Sequence, residues 1–212
     1  MNGNDQYGCC APAGAGHQTM LNTAIGGHPA IVTTENTLAD YGAITGFSPD
    51  DPASDQGTDP HELFKYWQTT GMVDSAGNRH KILAYLFSDP TNYDQFLEAI
   101  YLFGSVGLAI AVPQSAMDQF NAGQPWHVVP GWHWQGRQII GYHYVPAVAD
   151  RATPVVITWG KTQGLTVDFF RKYVQMVAVP LSTEILTSGI SLEGFNISQL
   201  QSDLNDLQQQ PA

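Results

Sequence analysis

Helix-type and strand-type patterning are distributed unevenly along this chain, and that asymmetry constrains the fold more than any other feature of the sequence. Small residues Ala11, Ala13 and Ala15 run into Gln18, Met20 and Leu21 before Gly26-Gly27, which predicts a first helix with Cys10 at or near its N-terminus. Thr33 or Thr34 caps a second helix through Leu38 and Tyr41 to Ile44, closed by Gly46. After a turn-rich surface loop over 48–60, Pro60 opens a third helix carrying Leu63, Phe64, Tyr66 and Trp67 and ending at Gly71. Beyond this the pattern changes. Strands are predicted over 82–87, 107–112, 138–148, 154–159 and 174–179, with helices opening at Asp89-Pro90-Thr91, over 114–120 and over 167–173. A last amphipathic segment places Leu192, Phe195, Ile197, Leu200, Leu204 and Leu207 at the spacing of a surface-packed helix before a Gln-rich tail. Helices first and sheet afterwards define an α+β chain. The expected units are a helical lobe over 1–75, a β-rich lobe over 76–182, and a C-terminal helix and tail over 183–212.

Charge and composition narrow the partners. The chain has 212 residues, a net charge of −11 and only 13% charged side chains, enough length for one sizeable core. Eight Lys and Arg, thinly spread along the chain, make no footprint for a phosphate backbone or an anionic lipid surface, so nucleic-acid and membrane partners are not expected. The apolar run near 106–112 is too short to span a bilayer, and residues 1–7 carry neither the basic nor the apolar part of a signal peptide. A soluble protein, cytoplasmic or virion-associated rather than secreted, is the expectation. Cys9 and Cys10 are adjacent, and neighbours rarely reach bridge geometry, so no disulfide staples the chain.

Cys10 is the first candidate for chemistry, because a thiol at a helix N-terminus feels the positive end of the macrodipole. Among seven histidines, His17 lies two helical turns away, roughly 10 Å at 1.5 Å per residue, which leaves it a structural or solvent-facing role. His143 sits in the alternating strand pattern Ile139 to Val148, where a side chain is aimed at one face. Other features read blandly. Asp50, Asp51, Asp55 and Asp59 lack the spacing and terminal Glu of an EF-hand, and His127 and His133 make no zinc motif. No glycine-rich phosphate loop is present, so no metal and no cofactor are expected. Trp126, Trp132 and Trp134 form an aromatic stretch of the kind that more often builds core than a substrate wall.

Four segments resemble the papain-like cysteine peptidase superfamily. Residues 4–10, Asn-Asp-Gln-Tyr-Gly-Cys-Cys, look like the nucleophile motif, in which an amide side chain precedes the cysteine by six residues; that offset favours Cys10 over Cys9 and places Asn4 where the family carries glutamine. Ser54 to Thr58, with Gly57, resembles the glycine-containing loop lining the substrate cleft. Residues 103–110 look like the family strand that follows a small-residue turn. Gly141 to Val145 with Ile157-Thr158-Trp159-Gly160 resembles the histidine strand and the Trp-Gly strand end. The resemblance is greatest to small bacterial or phage proteins of this type.

The resemblance implies a two-lobe fold with an antiparallel, barrel-like second lobe, and a cysteine-dependent hydrolase acting on a peptide or a small amide or ester through a thioester acyl-enzyme. Cys10 is then the nucleophile and His143 its base. Asn4 and the Cys10 N–H stabilise the oxyanion, Trp159 shields the histidine, and Gly57 and Trp132 line the substrate path. The family's orienting asparagine is replaced by Ile157, which leaves Thr158 as a weak substitute and Asp150 as a remote one. Two other readings stay open on that ground: a weak or inactive binding or structural protein, and a cysteine acyltransferase.

Overall fold

The computed structural model describes residues 1–130, 138–150 and 153–185, together with positions 194, 196 and 199. Trp132, His133, Trp134 and the amphipathic C-terminal segment lie outside the described residues, apart from those isolated positions. The elements in chain order are α1 Cys10–Ile25, α2 Thr34–Thr45, α3 Pro60–Thr69, β1 Met72–Val73, β2 Arg79–His80, β3 Ile82–Ser88, α4 Tyr93–Phe103, β4 Ser105–Pro113, α5 Gln114–Asn121, β5 Ile139–Asp150, β6 Thr153–Thr158, β7 Lys161–Gly164, α6 Val167–Tyr173 and β8 Val174–Ser182.

Local chemistry accounts for the boundaries. Thr33 caps α2 in a reciprocal arrangement with Asn36, and Gly46 ends it in the left-handed conformation. Asp59 caps α3, with Pro60 in the first turn, and Asn92 caps α4 three residues later than the Asp89-Pro90-Thr91 turn suggested. In α1, Pro12 is tolerated because a first-turn N–H has no intrahelical partner.

Six strands form one antiparallel sheet in the order β3-β8-β4-β5-β6-β7. The sheet is open, and the barrel-like expectation is corrected: β3 and β7 are opposite edges and do not pair. The physical reason is that helices cover both faces, so no apolar face is left to be buried by closure. On one face Val106, Leu108, Ile110, Val145 and Val177 pack beneath Phe96 and Ile100 of α4 and Phe169 and Phe170 of α6. On the other, Tyr144 and Ala178 meet Ala11 and Ala15 of α1 and Leu63, Phe64 and Trp67 of α3. The switch follows from the strand period of two, which sends His143 and Tyr144 to opposite faces of β5.

Tyr144 sets how closely α1 approaches the sheet. A Cβ on Gly14 would lie 2.6 Å from its ring, and one on Gly107 would overlap its hydroxyl. Its hydroxyl donates to Gln18 Oε1 at 3.2 Å, and Gln18 Nε2 donates to Ser105 Oγ at 3.1 Å. Small residues on α1 therefore bring the start of that helix, and Cys10 with it, against the middle of β5.

Candidate active site

A cleft of about 320 Å³ is lined by Asn4, Cys10, His17, His143, Thr158, Trp159 and Lys161, among others. A second hollow of about 530 Å³ shares Asn4, Cys10 and His143 with it and continues past Gly57, Thr58, Tyr142 and Met176. The two meet at Cys10.

Cys10 begins α1 and is half-buried. Burial pushes its thiol above the ordinary value, while the backbone N–H groups of Tyr144, Ala11 and Cys10 itself pull in the opposite direction, toward the thiolate. Cys9 differs: fully buried beside Tyr41 and Phe47, with its Sγ 3.7 Å from the Asn2 carbonyl oxygen, it is pushed up to about 12 by burial and then by Cys10.

His143 is 9% exposed, and burial depresses its imidazole to about 4. Its Nε2 lies 2.9 Å from Thr158 Oγ1, which leaves Nδ1 as the nitrogen free for another partner. The ring stacks on Trp159 at 4.9 Å with planes 4° apart. Trp159 occupies an unusual position. It and Gly160 form the two-residue loop between paired Thr158 and Lys161, with φ of 43° and 76°, the signature of a type I′ hairpin turn. A non-glycine residue in this region is strained by about 1–3 kcal/mol. The compensation is packing: the indole lies edge-on to Phe120 at 4.8 Å and near Trp126 at 6.0 Å.

Asp150 is not positioned to serve His143. Seven residues further along β5, its backbone is roughly 24 Å away at about 3.4 Å per residue. Trp126 is fully buried, donates its indole N–H to the Ala116 carbonyl and stacks on Phe169, so it is core. Gly57 is held in the cleft wall by a short network. Asp55 accepts the Gly8 N–H at 2.9 Å and the Tyr41 hydroxyl at 2.7 Å, and Tyr41 Oη accepts the Gly57 N–H at 2.9 Å. Asn4 lines both hollows.

His17 and Lys161 are the cleft residues that sequence reasoning passed over. His17 is seven positions after Cys10, hence on the same helix face, and that period was the available signal. Among the described residues no group of three or more His, Cys, Asp or Glu is placed to hold a metal ion, and no helix is long and apolar enough to cross a membrane.

No protein-family profile and no curated protein matches the sequence. Among solved structures the chain is similar to a procathepsin B from Trypanosoma congolense, with a TM-score of 0.56 and 10% identity over 82% of this chain and 68% of that one. It is also similar to a structure from a study of the mite allergens Blo t 1 and Der p 1, with a TM-score of 0.54 and 12% identity over 81% of this chain and 63% of that one. The fold is therefore similar to that of papain-like cysteine peptidases. Neither structure comes from a bacterium or a phage, so these likenesses lend no support to the closer kinship expected there.

Proposed function

We propose that the protein is a cysteine-dependent hydrolase of the papain-like type, cleaving an amide or ester in a peptide or small molecule. The observation that carries this reading is the convergence of Cys10 and His143 on one cleft, with the imidazole held between Thr158 Oγ1 and the Trp159 ring. In the first half-reaction the Cys10 sulfur attacks the carbonyl carbon while its proton passes to His143 Nδ1. The Asn4 amide and the Cys10 backbone N–H stabilise the oxyanion, a contribution of about 2.7–4 kcal/mol per donor. Collapse breaks the bond to the leaving amine or alcohol, which takes the proton from His143 and leaves a thioester on Cys10. Water then attacks with His143 as base, releasing the acid and the thiol.

Burial raises the Cys10 thiol and lowers the His143 imidazole, so both rest uncharged near neutral pH. Proton transfer then accompanies attack, in place of a standing ion pair. An acyltransferase shares the first half-reaction and differs only in what attacks the thioester.

The test is acylation by p-nitrophenyl acetate, whose leaving group needs no proton. The expected outcome is a burst of p-nitrophenolate equal to the protein concentration, with the acetyl group located on Cys10 by mass spectrometry. The burst is expected to vanish in Cys10→Ala and to slow about 100-fold or more in His143→Ala. Equal, slow acylation of wild type and His143→Ala would remove the catalytic reading in favour of a binding protein with this fold.

A further inference from the structure

The two halves of the cleft differ in charge. Among the described residues, the half past Gly57 and Met176 carries no charged side chain, and no Asp or Glu lines either half. The half beyond the His143–Trp159 stack holds two groups that the reaction above does not use, His17 and Lys161. His17 projects from α1 about two turns after Cys10, roughly 10 Å along the helix. No hydrogen-bond partner meets its ring among the described residues, and burial lowers its pKa, so near neutral pH it offers one N–H and one lone pair. Lys161 stands on the other wall, the first residue of β7 after the Trp159-Gly160 turn, with its Nζ 5.4 Å from the centre of the Phe120 ring. That ring is the one that packs against Trp159, so the ammonium sits at the rim beside the shield of His143.

A donor on α1 and a cation on β7, lining one cleft with no Asp or Glu among its described lining residues, suit a carboxylate. The contrast with the rest of the molecule sharpens this: a chain of net charge −11 repels anions in general, and a local reversal of sign is a device of selectivity. We infer that this half of the cleft is a carboxylate-binding subsite in which His17 donates an N–H and Lys161 supplies the positive charge. The substrates it selects bear a carboxylate about three residues from the carbonyl attacked by Cys10, since an extended chain covers roughly 10 Å in three residues. The substrate assignment rests on the hydrolase reading; the binding site does not.

The experiment compares alkylation of Cys10 in the full chain by three thiol reagents at pH 8 and 0.1 M salt. Iodoacetyl-Gly-Gly ends in a free carboxylate, iodoacetyl-Gly-Gly-amide has none, and iodoacetyl-Gly-Asp-amide carries it on a side chain. In each, the thiolate sulfur displaces iodide, so no acyl transfer is involved. Net charge alone predicts that the anionic reagents react more slowly, muted by a Debye length of about 10 Å. The expected result is the reverse: an acid-to-amide rate ratio of about three in wild type, the size of one partly exposed ion pair. The ratio is expected to fall to one or below in Lys161→Gln and in His17→Leu. Because it is internal to each protein, changes in the reactivity of Cys10 itself cancel. A preference for Gly-Gly alone assigns the site to chain termini, and a preference shared by the Asp reagent assigns it to carboxylates generally. A wild-type ratio at or below one, or a preference surviving both substitutions, overturns the proposal. Absence of nitrophenyl acetate acylation with the ratio intact would fail the hydrolase reading and leave the carboxylate site standing.

Discussion

Thr158 occupies the place of leverage for His143. The imidazole is buried, and with Nε2 at 2.9 Å from Thr158 Oγ1 a donated Nε2–H fixes the tautomer whose Nδ1 accepts a proton. A hydroxyl is a neutral, single-point acceptor, weaker than the amide oxygen expected there, and Ile157 lines the cleft without a polar atom to offer. Removing the hydroxyl strands a buried N–H at a cost of about 1–3 kcal/mol, and each 1.4 kcal/mol that reaches the transition state is a factor of ten. Thr158→Val is therefore predicted to slow acylation by p-nitrophenyl acetate about tenfold or more, while Thr158→Ser stays within about twofold of wild type. A wild-type rate in Thr158→Val would mean that the hydroxyl has no part in orienting the ring. Much of this cleft was legible in the sequence, because the six-residue offset from Asn4 to Cys10 and the position of His143 within a strand are one-dimensional signals. His17 was not, because a spacing of seven residues along a helix fixes a shared face but not what that face meets. Lys161 follows a two-residue turn that holds Trp159 at positive φ, which no propensity suggests.

Among the elements, the helices and the longer strands were readable and the shortest strands were not. Val167 to Tyr173 and the helix from Cys10 emerge from apolar spacing and small-residue runs, whereas β1 and β2 are two residues each, and Lys161–Gly164 has no alternating apolar pattern. Nor did the sequence reveal that the sheet stays open, since closure depends on what covers each face. The contact that matters most for chemistry is between α1 and β5. It rests on the absence of side chains at Gly14 and Gly107 around Tyr144, whose ring is wedged between helix and sheet. Gly14 has an ordinary helical conformation, so replacement by Ala improves local propensity by up to about 1 kcal/mol. The new methyl nevertheless meets the Tyr144 ring at 2.6 Å, and Gly107 on the far side bars retreat. Overpacking of this kind costs about 1–3 kcal/mol and outweighs the propensity gain. Gly14→Ala is predicted to lower the urea midpoint and to slow Cys10 acylation together, because the helix start and β5 move apart. A midpoint equal to or above wild type would show that the interface yields without strain.

At the scale of the whole molecule, two sets of histidines give stability opposite slopes with pH. His143 and His17 are held below their ordinary value by burial, so acidification from pH 6.5 toward 4 protonates them in the unfolded chain first. That penalty reaches at most about 3 kcal/mol for His143. From about one unit above the ordinary value of 6.5 both are neutral folded and unfolded, and this contribution is flat. A different group then governs. Glu184, just past β8, accepts from His28 Nε2 at 2.5 Å, and its other oxygen is 2.9 Å from His80 Nδ1. His80 Nε2 lies 3.2 Å from Asp74, while the nearby Arg79 turns away to Asp40. This clasp ties the loop after α1 and the β1–β2 hairpin to the end of the sheet. Burial works against the Glu184 and Asp74 charges, yet hydrogen bonds from His28 and His80 hold Glu184 below its usual range, and those from Asn78 and His80 hold Asp74 at about 2. Both carboxylates are thus ionised throughout the neutral range. The pKa of His28 is raised, first by its hydrogen bond to Glu184, so its contribution is full below 6.5 and is lost as pH rises through the folded value. The ring is largely exposed, which keeps the effect small. His143 and His17 titrate alike in wild type and Glu184→Gln, so the gap in urea midpoint between the two proteins is predicted to be widest at pH 6, with the variant lower, and to narrow toward pH 8. Parallel lines for the two proteins would show that the His28–Glu184 pair does not set the pH dependence, and coincident lines would leave the clasp no role in holding these three segments together.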